Sequence, residues 1–138
     1  MLGPDAFSGQ WTLSRQIDDR HLGQDGIFSG TVQFIPRGAR EMVYEEKGTL
    51  HFGRAPAMQA ERRYLWRFEA SEVDVRFEDG RDFHRFVPMG QVAGTDHPCG
   101  DDFYTVAYDF SRWPQWQAVW TVRGPRKDYT AVSNYIRP

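Results

Sequence analysis

The chain has 138 residues, a single cysteine and a net charge of −2. That length suits one domain, residues 1–138, able to bury roughly 65–70% of its unfolded surface. The composition excludes an internal disulfide and a basic nucleic-acid footprint, and no apolar run approaches the ~20 residues of a membrane helix. The opening MLGPDAFSGQW lacks the basic start and apolar stretch of a secretory leader. The expectation is a cytoplasmic, bacterial-type protein with no nucleic-acid or membrane partner.

A short helical turn is expected near Pro4–Phe7. After it the pattern is period two almost throughout, the mark of half-buried strands. Trp11, Leu13, Arg15 and Ile17 share one face, and Thr12, Ser14 and Gln16 the other. Asp25-Gly26 leads into Phe28, Gly30, Val32 and Phe34, and Pro36-Arg37-Gly38 turns the chain. Met42, Tyr44, Glu46, Gly48 and Leu50 alternate next, then, beyond a loop at 53–58, Arg62, Tyr64, Trp66 and Phe68. Past Pro88-Met89-Gly90 come Tyr104, Val106, Tyr108 and Phe110. Trp113-Pro114 breaks that strand before Trp116, Ala118, Trp120 and Val122, and Gly124-Pro125 precedes Tyr129, Ala131, Ser133 and Tyr135. About nine or ten strands, each joined to the next by a turn, form an up-and-down antiparallel meander, and closure into a barrel removes its edges. The predicted fold is all-β: a single up-and-down antiparallel barrel, wide enough for one small ligand.

The segment VDVRFEDGRDFHRFV, residues 73–87, sets the phase of the inner wall. Asp79-Gly80 between alternating runs predicts a two-residue hairpin turn. Glu78 then faces Arg81, Phe77 faces Asp82, Val75 faces His84 and Val73 faces Phe86. Paired residues share a face, so His84 and Asp82 turn inward with Val75, while Arg76, Phe83 and Arg85 turn outward.

The helical turn followed by Ser8-Gly9-Gln10-Trp11 resembles the Gly-x-Trp signature of lipocalins and other calycins. In those barrels the Trp closes one end beneath an arginine near the last strands. Arg123 is the best match for that arginine and Arg126 the second. Asp102-Phe103-Tyr104 leading into Thr-Val-Ala-Tyr resembles the second lipocalin motif. The absent leader and disulfide pair, and a strand at 129–136 where secreted lipocalins place a helix, set the chain apart from them. Over its whole length it is similar to small bacterial calycin-like proteins of unknown function. The similarity lies in EEKGTL (45–50), RRYLW (62–66), EDGRDFH (78–84), HPCGDDFY (97–104) and GPRKDY (124–129). The resemblance implies a fold and supplies no activity.

Several polar side chains fall on the inward faces: Arg15, Tyr44, Glu46, Tyr64, His84, Tyr104, Tyr108 and Tyr129. Aromatic walls interrupted by a few convergent polar groups are the makeup of a small-ligand site. His84 has two roles open to it: a buried histidine bonded to a tyrosine or carboxylate, or a contact to ligand, proton or metal. Arg15 and Glu46 form an internal ion pair or leave the arginine for an acidic ligand. His97 and Cys99, with His84 or Asp101, carry donor types of a zinc site, although Pro98 and Gly100 equally suit a plain turn. Arg126 and Lys127 sit in a turn at a barrel end, where an arginine offers a two-pronged contact to an anion.

The leading expectation is a small-molecule-binding barrel whose ligand is partly apolar and anionic. Its ligand-binding residues are His84, Arg15, Tyr44, Glu46, Tyr64, Trp66, Tyr104, Arg126 and Tyr129. No metal-ligand set and no cofactor is assigned. Three alternatives stay open: an enzyme using His84 for acid/base chemistry, a haem- or metal-binding barrel, and a packed interaction protein. The last would form a homo-oligomer or partner patch from outward Phe83 and Trp113.

Overall fold

Period-two alternation becomes eleven strands in the computed structural model, which describes residues 1–138. The order is α1 (Pro4–Phe7), β1 (Gly9–Asp19), β2 (Gln24–Pro36), β3 (Glu41–Phe52), β4 (Met58–Phe68), β5 (Val73–Phe77) and β6 (Asp82–Phe86). There follow β7 (Gln91–Ala93), β8 (His97–Cys99), β9 (Asp102–Asp109), β10 (Trp116–Arg123) and β11 (Asp128–Ile136). Every pairing is antiparallel, and β11 returns to pair with β1. The sheet runs β6-β5-β4-β3-β2-β1-β11-β10-β9-β7, with β8 also on β9. The strands beyond the expected nine or ten are the three-residue β7 and β8, too short for alternation to register.

The barrel is nearly closed. Across the seam the Thr95 amide donates to the Arg85 carbonyl at 2.8 Å, and the Arg85 amide donates to the Thr95 hydroxyl at 2.9 Å. Gly30 and Gly48 face each other across β2 and β3. A Cβ on Gly30 would collide with the Lys47 carbonyl and one on Gly48 with the Ser29 carbonyl. The backbones approach closely there, as at a barrel corner. No helix is long and apolar enough to cross a membrane.

One end of the barrel is plugged by aromatics. Proline is tolerated in the first turn of a helix, where its missing N–H is not needed, and the four-residue α1 begins with Pro4 and delivers a fully buried Phe7. Its ring lies within 6.0 Å of those of Phe34, Trp66, Phe68, Phe110, Trp113 and Trp116. Burying one such ring contributes roughly 1.5–3 kcal/mol. Trp11 lies beside it and donates its Nε1 proton to the Phe7 carbonyl at 2.8 Å. The arginine over Trp11 is Arg137, not Arg123 or Arg126. Its guanidinium carbon is 3.8 Å from the ring centroid, and it donates to the carbonyls of Ala6, Ser8 and Gln10. Arg123 ends β10 and is exposed; Arg137 lies just past β11, whose end pairs with the start of β1, and so reaches back over Trp11.

The β5–β6 hairpin differs from the expected two-residue turn. The Phe77 amide donates to the Arg81 carbonyl and the Gly80 amide to the Phe77 carbonyl, both at 2.9 Å. The loop is therefore Glu78-Asp79-Gly80, with Gly80 at φ +91°, a left-handed position that a three-residue hairpin reserves for glycine. Arg76 pairs with Asp82, and a bulge at Phe83 restores the register, so that Val75 faces His84 and Val73 faces Phe86 as expected. Asp82 is exposed and bridges to Arg76 at 3.3 Å. Phe83, expected outside, is buried and stacks on Phe77 and Trp120. Trp113 is half-buried against Phe7 and Trp11. The outward aromatic patch of the interaction-protein reading is thus absent from both residues.

Candidate functional site

Above the plug, the inward faces leave a cavity of about 350 Å³. All nine residues expected at a ligand site line it: Arg15, Tyr44, Glu46, Tyr64, Trp66, His84, Tyr104, Arg126 and Tyr129. Alternation on long strands explains this, since parity alone decides which side chains face the interior. The structure divides the nine into a deep polar layer, an aromatic wall and a mouth.

In the deep layer Arg15 and Glu46 form a two-pronged pair, each N–H···O bond 2.8 Å long. Arg15 Nε also donates to the Ser133 hydroxyl at 2.7 Å, and the guanidinium sits over the Phe28 ring. Tyr44 donates its hydroxyl proton to Glu46 Oε1 at 2.7 Å. With that proton committed, Tyr135 is the donor in the 2.8 Å contact between the two phenols. Burial alone would raise the Glu46 carboxyl, but the Arg15 guanidinium and the Tyr44 hydroxyl outweigh it and hold it below its ordinary value. Burial pushes Tyr135 up to about 12 and Tyr44 well above its usual range. Arg15 is consumed by Glu46 and Ser133, so the reading in which it meets a ligand's negative group loses its free cation.

The wall carries His84, 4% exposed, with Nε2 2.8 Å from the Tyr108 hydroxyl. Nδ1 has no partner. With the proton on Nδ1, Nε2 accepts from Tyr108 and one donor is left over. The other tautomer strands both the Nδ1 lone pair and the Tyr108 proton, so counting partners assigns the first. Burial, with a smaller contribution from His97, lowers His84 to about 3, and burial raises Tyr108 well above its usual range. Burial thus favours the uncharged form of both groups, the form in which they bond to each other. His97 packs against Phe77 and Phe83, Cys99 is exposed, and no three His, Cys, Asp or Glu side chains converge as metal ligands.

At the mouth stand Asp19 at the end of β1, His21 and Leu22 from the β1–β2 turn, Arg126 and Lys127 from the β10–β11 turn, and Arg62 from β4. Lys127 is engaged: it donates to the Tyr104 hydroxyl at 3.1 Å and lies 3.5 Å from Asp102. Arg62 lies opposite Glu46 in the β3–β4 ladder but makes no salt bridge, because Arg15 and Tyr44 already occupy that carboxylate. Four cations and two acids line a cavity inside a chain of net charge −2. Arg62 was not among the expected site residues, although it shares the parity of Tyr64 and Trp66. Its place in the charged run Glu61-Arg62-Arg63 reads as surface.

The profile of a family of unknown function, DUF6314, matches residues 7–137. The chain belongs to that family. No curated protein matches the sequence of this family member. Its barrel is similar to the S-type phycobiliprotein lyase CPES from Guillardia theta, with a TM-score of 0.65, 6% identity, and coverage of 98% of this chain and 90% of that one. It is also similar to a redesigned β-barrel, mFAP1, bound to DFHBI, with a TM-score of 0.53, 12% identity and 98% of each chain covered. A protein of unknown function from Nostoc punctiforme, of the DUF3598 family, has a TM-score of 0.61 at 13% identity. That match covers 98% of this chain and 48% of the other. At such identities the likeness is one of fold alone.

Proposed function

We propose that this DUF6314 member is a calycin-like barrel that binds a small, partly apolar, negatively charged molecule in its interior. The observation that carries the reading is the 350 Å³ cavity, apolar and aromatic over most of its wall and cationic on balance. Pockets of roughly 300–1,000 Å³ with a few polar groups set in apolar walls are the usual size and makeup for such ligands. The fold likeness to a barrel bound to DFHBI supports the same reading.

The test uses 8-anilinonaphthalene-1-sulfonate, an aromatic anion of suitable size. Its fluorescence should rise with saturable one-to-one stoichiometry. Ala118, buried on β10 and lining the cavity, is the place to fill it. Ala118→Phe should abolish the saturable signal while circular dichroism keeps its β signature; overpacking of this kind costs typically 1–3 kcal/mol. Dye binding that Ala118→Phe leaves intact would refute an internal site.

A further inference from the structure

The barrel wall is not of even height. β1 to β4 are 11 to 13 residues long, whereas β5 and β6 have five each. The β4–β5 ladder ends at Tyr64–Phe77, where the Glu78–Gly80 loop turns back. Residues 58–63 of β4 therefore stand above the short hairpin without a strand neighbour on that side, and the wall has a notch. Arg62 and Tyr64 line both the central cavity and the outer groove formed over the hairpin by Arg63, Phe77, Glu78, Asp79 and Arg81. They belong to the inside and the outside at once, as the jamb of a doorway does.

Two guanidinium groups reach the cavity from different elements, and Arg62 also lines the notch. Arg62 comes from β4 and Arg126 from the β10–β11 turn, and both are solvent-accessible lining residues of the cavity. Neither forms a salt bridge, whereas Arg15, the third arginine lining the cavity, is paired with Glu46. The deep layer below them is already saturated by its own pair. The apolar wall lies deeper in the barrel and the unpaired cations at its rim. A ligand that satisfies both is an amphiphile with its apolar end inside and its charge at the rim.

We propose that Arg62 and Arg126 are the ligand's anion clamp, and that the ligand is a flat apolar molecule bearing one terminal oxyanion that enters apolar end first. This rests on the binding reading above and adds orientation, chemical class and two specificity-determining residues to it. A guanidinium suits this task because its planar fork meets a two-oxygen anion with paired hydrogen bonds.

The experiment compares 8-anilinonaphthalene-1-sulfonate with N-phenyl-1-naphthylamine, the same ring system without the sulfonate, on the wild type, Arg62→Gln and Arg126→Gln. A hydrogen bond to a charged group is worth enough for each substitution to weaken the sulfonate dye about tenfold or more. The neutral dye should bind all three proteins within about twofold, and raising salt should weaken only the sulfonate dye. Thermal melts of the variants show whether the fold is intact; at these accessible positions they should match the wild type. 1-Naphthoate and 1-naphthyl phosphate serve as competitors, and the stronger one identifies carboxylate or phosphate as the preferred anion. If both dyes bind but neither substitution separates them, or neither anion competes, the clamp is wrong and internal binding survives. If neither dye binds the wild type at all, the binding reading itself fails.

Discussion

Replacing Glu46 with glutamine should be among the most destabilising single changes available in this barrel. Glu46 is 2% exposed and accepts three short hydrogen bonds, two from Arg15 and one from Tyr44. Glutamine keeps one acceptor oxygen and turns an NH₂ group against a guanidinium that has nothing to give it. Arg15, itself 8% exposed, becomes a buried charge without a counterion. Breaking such a pair from one side costs about 3–5 kcal/mol. For 138 residues the unfolding entropy is about 0.29 kcal/mol/K, so the melting temperature should fall by about 10–17 °C. Urea denaturation should show a lower midpoint with an unchanged slope. The double variant Arg15→Met/Glu46→Leu removes both charges and should recover at least half of the loss, since apolar replacement of a whole buried pair is often neutral or better. Acid sensitivity gives an independent check. The Glu46 carboxyl is held below its ordinary 4.5 in the folded state, so its contribution is complete above that pH and fades as pH falls further. Glu46→Gln should lack that part of the acid slope. A melting change under about 3 °C, or a double variant worse than the single one, would mean that water in the cavity solvates the pair and that the deep layer is wet.

Two further outcomes follow from other parts of the wall. His84 titrates at about 3 when folded against 6.5 otherwise, so only the unfolded chain takes up its proton between those values, and stability should decline from pH 6.5 downward by up to about 1.4 kcal/mol per unit. His84→Gln should flatten the part of that decline between pH 6.5 and 4.5; an unchanged profile would show that the imidazole is hydrated. Arg137→Met removes the cation over Trp11 and three bonds to carbonyl oxygens, a loss of roughly 1–3 kcal/mol. Melting should drop while dye affinity at the opposite end stays constant, and Arg137→Lys should not restore stability, because an ammonium has no planar face to stack.

Parity made the inner wall legible in the sequence. Long strands with one buried face leave no freedom in which side chains point inward, and so Arg15, Tyr44, Glu46 and Tyr64 could be placed from alternation alone. The hairpin shows where parity fails. Asp79-Gly80 suits a two-residue turn and a three-residue loop alike, because both want glycine in the left-handed region. The extra loop residue and the bulge at Phe83 then cancel, which keeps His84 inside while exchanging Asp82 for Phe83. Nothing local marks that bulge; it is set by the room that Trp120 and Phe77 leave for a third ring. Arg137 was missed for a topological reason, since its partner is 126 positions away and meets it only because β11 closes on β1. Arg62 was on the correct face, but its importance depends on the shortness of β5 and β6, a comparison between elements that no window on β4 contains.

The aromatic lining has one more consequence. Of the five tryptophans, Trp66, Trp116 and Trp120 border the cavity, whereas Trp11 and Trp113 sit in the plug below it. Trp116 lies flat on Tyr135 with ring centroids 3.7 Å apart. The barrel thus holds two optical populations, one bordering whatever occupies the interior and one sealed from it. A guest in the interior would touch the first group and not the second, so the protein carries an intrinsic gauge of its own occupancy.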